Sequence, residues 1–325
     1  MNLVVGASGY LGGLICKELI KSGKPVKAMV RSTSNISYLD QLGVDIIEGD
    51  LDIPESLPNA LKGCDTVFFT ASTALPSKKG ETMADDGERV ARMIDAAVEA
   101  GVKHFIYISA AIPKGVDVAL VTCKAIGENK LKSSGLNYTI LRAGAFMEVH
   151  FALLGSSIPT VEVEPGLRHS LHRPWDFGVN YYQRIKNDIE GKGIANVNGK
   201  GKGKMSYVAT KDIARVAVAC LDKPECINAT FEIGSENLTY LEAVEVYSKV
   251  LGRPLKVKKT PVFLLKLISR IISKKEPAGS QLLKAIAALA TIDASLDTSF
   301  FKEIFPDFHL QTPEQFLLER VNRIN

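Results

Sequence analysis

Gly6, Gly9 and Gly12 stand three apart in the run LVVGASGYLGGLICKELI, residues 3–20, between a short apolar stretch and a segment with helical spacing. A chain that turns this sharply from a strand into a helix needs each glycine for a different reason. One permits the tight turn, another lets a pyrophosphate approach the backbone, and the third lets helix and strand pack closely. The helix N-terminus adds outward-pointing N–H groups and the positive end of its dipole. The pattern predicts a dinucleotide-binding turn, with Ser8, Tyr10 and Leu11 of the same loop beside the phosphates.

Behind this turn the sequence alternates. VKAMVR, DIIEGD, DTVFFTAS, HFIYISA and NYTILRAG read as strands, and helical segments ending at Gly23, Gly43, Gly63, Gly101 and Gly135 separate them. The alternation predicts an α/β fold, a Rossmann-type doubly wound parallel sheet with right-handed crossovers, over residues 1–150. After Gly144 the rhythm breaks. Residues 151–325 are expected to form a smaller C-terminal α/β lobe for substrate or partner, helical at its end, with some segments returning to the first domain. Thr239 is a plausible N-cap for TYLEAVEVYSKVLG, and NGKGKGK reads as a loop.

The acid that often ends the second strand and holds ribose hydroxyls is missing, because that strand ends AMVRSTSN. Arg31 can pair instead with a 2′-phosphate, and Ser32 or Ser34 can donate hydrogen bonds to it. The expected cofactor is NADP(H) rather than NAD(H). Ligands of parallel sheets sit at the carboxyl ends of the strands. That rule places Asp50 and Leu51 toward the adenine, and Thr70, Ala71 and Ser72 beside the pyrophosphate and ribose. It also brings Ser109 to the same edge, and Ala143, Gly144, Ala145 and Phe146 near the nicotinamide.

With 325 residues, the chain can bury a large core and a smaller lobe. A net charge of +4, with no Arg/Lys run interleaved with aromatics, argues against a nucleic-acid partner. Cys16, Cys64, Cys123, Cys220 and Cys226 are scattered, odd in number and form no CxxC pair. They point to thiols in a reducing compartment, not to a disulfide frame or a zinc site. No apolar run is long enough to span a bilayer, and the first strand begins too early for a targeting peptide unless one has been removed. A soluble protein of the cytoplasm or a plastid stroma is expected.

GASGYLG, VR with its following serines, GDL, AGVKHFIYIS, SGLNYTILRAGAFME and YVATKDIA together resemble the NmrA-like branch of the atypical short-chain dehydrogenases/reductases. The likeness is good over residues 1 to about 150 and moderate over about 205–255. Within the branch, SGLNYTI and PVFLLKLISRI are similar to photosystem II assembly factors and, more distantly, to isoflavone-type reductases. The resemblance implies a Tyr-x-x-x-Lys pair, in which tyrosine moves a proton and lysine lowers its pKa and holds the nicotinamide ribose. Lys124 occupies the lysine position, but Leu120 stands where the tyrosine would be. Lys124 is thus the candidate catalytic residue as well as a cofactor contact, against the plainer alternative of a solvated helix lysine. Members of the branch without the tyrosine use the lysine or a water, or bind the cofactor as sensors or scaffolds.

Substrate contacts are expected in the segment after the sixth strand, from Phe146, His169, His172, Trp175 and Tyr181. Histidine beside a carboxylate can exchange protons near neutral pH, whereas H-S-L-H has no third ligand and predicts no metal site. Packing of a rigid loop by its aromatics is the alternative for each residue. Residues 261–275 form a basic amphipathic helix, with Lys266, Ser269, Arg270, Ser273 and Lys274 on one side and Val262, Leu265, Ile268 and Ile272 on the other. Such a helix lies peripherally on an anionic membrane, docks a protein partner, or packs its apolar face on the core, here against LLKAIAALA. Two functions stay open. One is an NADPH-dependent oxidoreductase of a small or medium apolar substrate. The other is a non-catalytic NADP(H)-binding sensor or assembly factor. The sequence leaves oligomeric state, substrate and reaction direction open.

Overall fold

The computed structural model describes residues 1–72, 85–111, 113, 116–161, 167 and 177–324. The first half runs β1 (Asn2–Val5), α1 (Tyr10–Lys21), β2 (Val26–Val30), α2 (Ser37–Leu42), β3 (Asp45–Glu48), α3 (Leu57–Leu61) and β4 (Thr66–Phe69). It continues through α4 (Asp86–Glu99), β5 (His104–Ala110), α5 (Ala119–Lys132) and β6 (Asn137–Ala143). The second half begins β7 (Ala145–Phe146), α6 (Met147–Leu153), α7 (Phe177–Ile185), α8 (Asp188–Lys192), β8 (Ile194–Asn198), β9 (Lys204–Val208), α9 (Thr210–Ala219) and β10 (Ala229–Ile233). It ends β11 (Glu236–Thr239), α10 (Tyr240–Leu251), β12 (Lys256–Thr260), α11 (Val262–Ile272), α12 (Pro277–Leu289), β13 (Asp293–Ala294), α13 (Ser299–Ile304) and α14 (Pro313–Ile324).

Among the described residues the main sheet has the order β10-β6-β5-β4-β1-β2-β3, and every pairing in it is parallel. The winding reverses beside β1, which lies between β2 and β4, so the crevice for a ligand opens at the carboxyl end of β1. Parallel strands covered on both faces are mostly apolar, and all four residues of β1 and of β4 are buried, with only Asn2 and Thr66 polar at their starts. One face carries Leu14 and Ile15 of α1 with Ile213 and Val216 of α9. The opposite face carries Leu57 and Leu61 of α3 with Val90, Met93 and Ile94 of α4. None of the five cysteines is in a disulfide, and all are buried.

The chain leaves the main sheet at Gly144. A Cβ there would overlap the Ser206 carbonyl oxygen, so only glycine lets β6 pass so close to β9. Ala145 and Phe146 then pair with Tyr207 and Val208 in a second sheet, ahead of the boundary expected near 150. Residues 210–233 return: α9 packs on α1, and β10 adds to the edge of the main sheet alongside β6. Met147, Phe151, Tyr207, Tyr240, Tyr247 and Phe316 fill the separate core of the lobe. Thr239 caps α10 through a capping box with Glu242. Among the described residues no helix is long and apolar enough to cross a membrane.

A buried polar cluster joins lobe to sheet. Glu148 of α6 accepts from the Thr210 hydroxyl at 2.9 Å and the Thr210 backbone N–H at 3.2 Å. Arg320 of α14 lies 3.5 Å from it, and both side chains are 1% exposed. Burial pushes the Glu148 carboxyl up, and Arg320 and the Thr210 bonds act against that rise. Removing the cation alone strands a buried carboxylate, which costs about 3–5 kcal/mol. Arg320→Met is therefore expected to lower thermal stability sharply, and the double variant Glu148→Gln/Arg320→Met to recover part of the loss in the same melting experiment.

Candidate functional site

The three opening glycines meet three different neighbours. Gly6 has φ +85°, and a Cβ on it would lie 2.7 Å from Thr70 Oγ1 and 2.9 Å from Ala71 N, because the end of β4 presses against the turn. A Cβ on Gly12 would overlap the Gly6 carbonyl oxygen, so α1 packs directly on its own turn. Gly9, the N-cap, differs: a Cβ there would meet Gly6 O at 3.2 Å and otherwise project into open space. The Gly9 N–H donates to Gly6 O at 3.0 Å, and the Gly13 N–H to Gly9 O at 2.9 Å. Tyr10, Leu11 and Gly12 occupy the first turn, where backbone N–H groups point past the helix end, and no acid stands in that turn. The result is a cradle of backbone N–H groups at the positive end of the helix dipole. Ser8, Tyr10 and Leu11 are half-buried around it.

The neighbouring strand ends share its edge. Arg31, half-buried, and Ser32, exposed, follow β2, and the Arg31 backbone N–H donates to Ser34 Oγ at 3.2 Å. After β4, Thr70 Oγ1 donates to the Val5 carbonyl at 2.9 Å, which ties that loop to the end of β1. Ala71 is half-buried, and Ser72 donates to Asp86 Oδ2 at 3.2 Å. Asp50 Oδ1 accepts from the Asp52 N–H at 2.9 Å in a local turn. Leu51 is buried in the core beneath α3 and α4, so its side chain serves packing rather than the cleft edge. Ala143 is buried, while Ala145 and Phe146 are half-buried beyond the Gly144 crossing. Met147 turns away into the core of the lobe.

Lys124 is buried on α5, which removes the solvated alternative. Its Nζ donates to the Ile108 carbonyl at 2.8 Å and lies 5.0 Å from the centroid of the Tyr107 ring. Burial draws its pKa below the usual lysine range, while the charge of Asp86 works the other way. Leu120, one turn earlier on the same helix, is half-buried. Tyr107 is itself buried, with its ring edge against Phe69 at 5.8 Å, and burial pushes its hydroxyl up. It packs and does not replace the absent tyrosine. Ser109 is committed inward: its hydroxyl donates to Glu128 Oε1 at 2.7 Å.

That contact belongs to a cluster the motifs do not reveal. Glu128 takes a two-bond fork from Arg142, with Nε at 3.0 Å and Nη2 at 2.7 Å. The fork locks α5 to β6 and so fixes the height of Lys124 above the strand ends. Glu128 lies four residues after Lys124, the spacing that puts both on one helical face, and that spacing is the signal available in the sequence. Asp86, at the start of α4, also acts on the lysine without belonging to any motif. Of the substrate candidates, His169, His172 and Trp175 lie outside the described residues. Tyr181 is half-buried on α7, where burial and the charge of Asp188 raise its hydroxyl pKa. A cavity of about 800 Å³ lies elsewhere, near Lys204 at the far end of β9 from Phe146.

The glycine geometry separates binding from folding. Gly9→Val is expected to cost about 1 kcal/mol as a poorer cap and leave the fold intact. It should abolish dinucleotide binding, because the added carbons fill the cradle. Gly12→Ala drives a methyl group into backbone and is expected to cost about 3 kcal/mol or more. Thermal melting and NADPH titration of both variants check this, and full binding by Gly9→Val would contradict it.

Comparison with known proteins agrees with this architecture. Residues 2–305 match the model of the NmrA-like family. The photosystem II assembly factor Ycf39 of Trieres chinensis is 29% identical over 272 residues, covering 83% of this chain and 75% of that protein. A NAD(P)H azoreductase of Xenophilus azovorans is 29% identical over 259 residues, covering 79% and 76%. The crystal structure of Citrobacter sp. triphenylmethane reductase complexed with NADP(H) superposes with a TM-score of 0.74 over 98% of this chain and 100% of that one, at 21% identity, a likeness of fold. With a glycine turn at the switch point of a seven-stranded parallel sheet, and a family match across nearly its whole length, this chain belongs to the NmrA-like family.

Proposed function

We propose that the protein is an NADPH-dependent reductase of a small or medium apolar acceptor. The observation that carries this reading is the open cradle at Gly9, beside an arginine where an acid would favour NAD. The first turn of α1 would hold the pyrophosphate, Arg31 with Ser32 the 2′-phosphate, and Thr70, Ala71 and Ser72 the adjoining ribose. Lys124 would hold the nicotinamide ribose, with Ala145 and Phe146 nearby. When bound, the cofactor supplies a hydride.

The protein's own contribution is positioning and a proton. Lys124 has one N–H on Ile108 and further donors for a ribose hydroxyl and a substrate atom. Its lowered pKa makes it a better acid than a solvated lysine, which offsets the missing tyrosine. The names of relatives support an apolar, conjugated acceptor, since they include an azoreductase and a triphenylmethane reductase. Five cysteines outside any disulfide are consistent with a reducing compartment, the cytoplasm or a plastid stroma. A second reading is favoured by one observation. The Leu120 side chain carries no exchangeable proton, as suits an NADP(H)-binding assembly factor, and Ycf39 relatives bear that name.

Titration calorimetry with NADPH and NADP⁺, followed by NADPH-oxidation assays on azo dyes and quinones, decides between these readings. Tight NADPH binding with turnover supports the reductase. Binding without turnover on any acceptor supports the second reading, and no binding overturns both. Arg31→Asp is expected to shift preference from NADPH toward NADH by about tenfold or more, the loss of a charge-assisted phosphate contact. Lys124→Arg retains a cation for the ribose but no neutral form. It is expected to keep NADPH affinity within a few-fold while turnover falls about 100-fold. In the unaltered protein, kcat/KM should fall as pH rises through the lowered Lys124 pKa, since the protonated lysine donates. A profile unchanged in Lys124→Arg would remove the lysine from the proton step.

A further inference from the structure

Helix α11 is apolar on two sides. Leu265, Ile268 and Ile272 pack on Leu283, Ile286 and Ala287 of α12. Ser269, expected on the basic side, is instead buried in this seam, with its hydroxyl 3.0 Å from that of Ser280. The internal face is therefore complete. Phe263, Leu264, Leu267 and Ile271 form a second stripe, at spacings of one, four and eight residues, that lies outside this seam and faces solvent. Phe263 and Ile271 are each 70% exposed and Leu267 is 50% exposed. Those first two are the most exposed large apolar side chains among the described residues.

The charge around this stripe is one-sided. Residues 253–284 hold nine basic side chains and one acid, Glu276. That segment carries +8 where the whole chain carries +4, so the rest of the molecule is net acidic. Lys266 and Arg270 lie along one flank of the stripe, at the helical positions between it and the buried seam, and both are exposed. Strand β12, with exposed Lys256, Lys258 and Lys259, leads straight into the helix. Beside Phe263, the 800 Å³ cavity is lined by Lys200, Lys202, Lys204 and Lys259, with Asp293 as its acid. An aliphatic and aromatic stripe flanked by lysine and arginine is the chemistry of a helix lying in a lipid headgroup layer, apolar side inward and cations on phosphates.

We infer that α11 and the lysines around it form a membrane-docking face that seats the protein on an anionic lipid surface. Charge complementarity selects this occupant: the segment repels basic surfaces, and its apolar stripe needs a layer it can enter. The inference does not depend on the reductase reading, because none of these residues belongs to the cofactor cradle.

The test is vesicle flotation of the full chain, with phosphatidylcholine vesicles and with vesicles containing roughly one third phosphatidylglycerol. Binding is expected to the anionic vesicles alone, and to fall at least tenfold in high salt. The double variant Leu267→Glu/Ile271→Glu should lose binding at least tenfold with an unchanged melting temperature, since both positions are solvent-facing. Lys266→Glu/Arg270→Glu should also weaken it. Phe263→Trp should show a blue-shifted emission on adding anionic vesicles. Absence of binding overturns the inference, as does binding that survives the stripe variant. Self-association abolished by Leu267→Glu/Ile271→Glu, without vesicle binding, overturns it in favour of an interface between copies or with a protein partner.

Discussion

A single buried carboxylate gathers three elements of the chain at the junction of lobe and sheet. Glu148 sits at the start of the first helix of the lobe and gathers the N-terminus of α9 and the guanidinium of Arg320 from α14. These elements are 62 and 172 residues away along the chain. The three attachments do not merely close the lobe on itself. Helix α9 packs on α1, the helix that follows the glycine turn, and α6 follows directly from the end of β6 through β7. Glu148 therefore ties the helix packed on α1 to the first helix of the lobe. A buried charge is a costly way to join two layers, and its advantage is directional: an apolar contact of equal size would tolerate sliding.

Much of this is readable from the residues. The glycine spacing, the strand–helix alternation and the missing acid after the second strand follow from local chemistry, and local chemistry is what a sequence displays. Both motifs that meet at Glu148, AGAFME and YVATKDIA, are visible, but their junction is not, because it depends on pairing across 62 residues. The Ser109–Glu128–Arg142 cluster shows the same limit. Ser109 ends a strand at the carboxyl edge, where a cofactor contact is the natural reading, yet a carboxylate on the facing helix takes its hydrogen bond. Helical periodicity misjudges α11 for a different reason. Eight of its eleven residues are apolar, so the pattern reveals an apolar helix without saying which side the protein uses.

On the reductase reading, Lys124 would take over the proton role of the tyrosine that Leu120 replaces. In a Tyr-x-x-x-Lys arrangement the lysine's charge serves to acidify the tyrosine. With Leu120 in that place, a permanently charged, solvated lysine would be a poor acid. Burial changes this, since desolvation disfavours the ammonium and lowers its pKa. The Arg142–Glu128 fork supports that state, because it satisfies the nearby carboxylate and leaves Lys124 with the Ile108 carbonyl as its partner rather than an ion pair. The charges of Asp86 and Glu128 still act upward on the lysine, and burial outweighs them.

The lobe divides its apolar surface between two uses. Met147, Phe151, Tyr207, Tyr247 and Phe316 form a core, while α11 and α12 stand off it as a hairpin with a small core of their own. Helix α12 also packs against α5, the helix that carries Lys124. A surface that engages α11 would therefore act on the same wall that supports the lysine. On the proposed reading of an apolar acceptor, this arrangement would suit the ligand, whose concentration is higher in a lipid layer than in water by the free energy of burying its surface, about 25 cal/mol per Å². The hairpin itself, residues 262–289, holds five basic side chains and one acid, and with Arg253 and the lysines of β12 it makes the +8 of residues 253–284 on a chain whose remainder is net acidic.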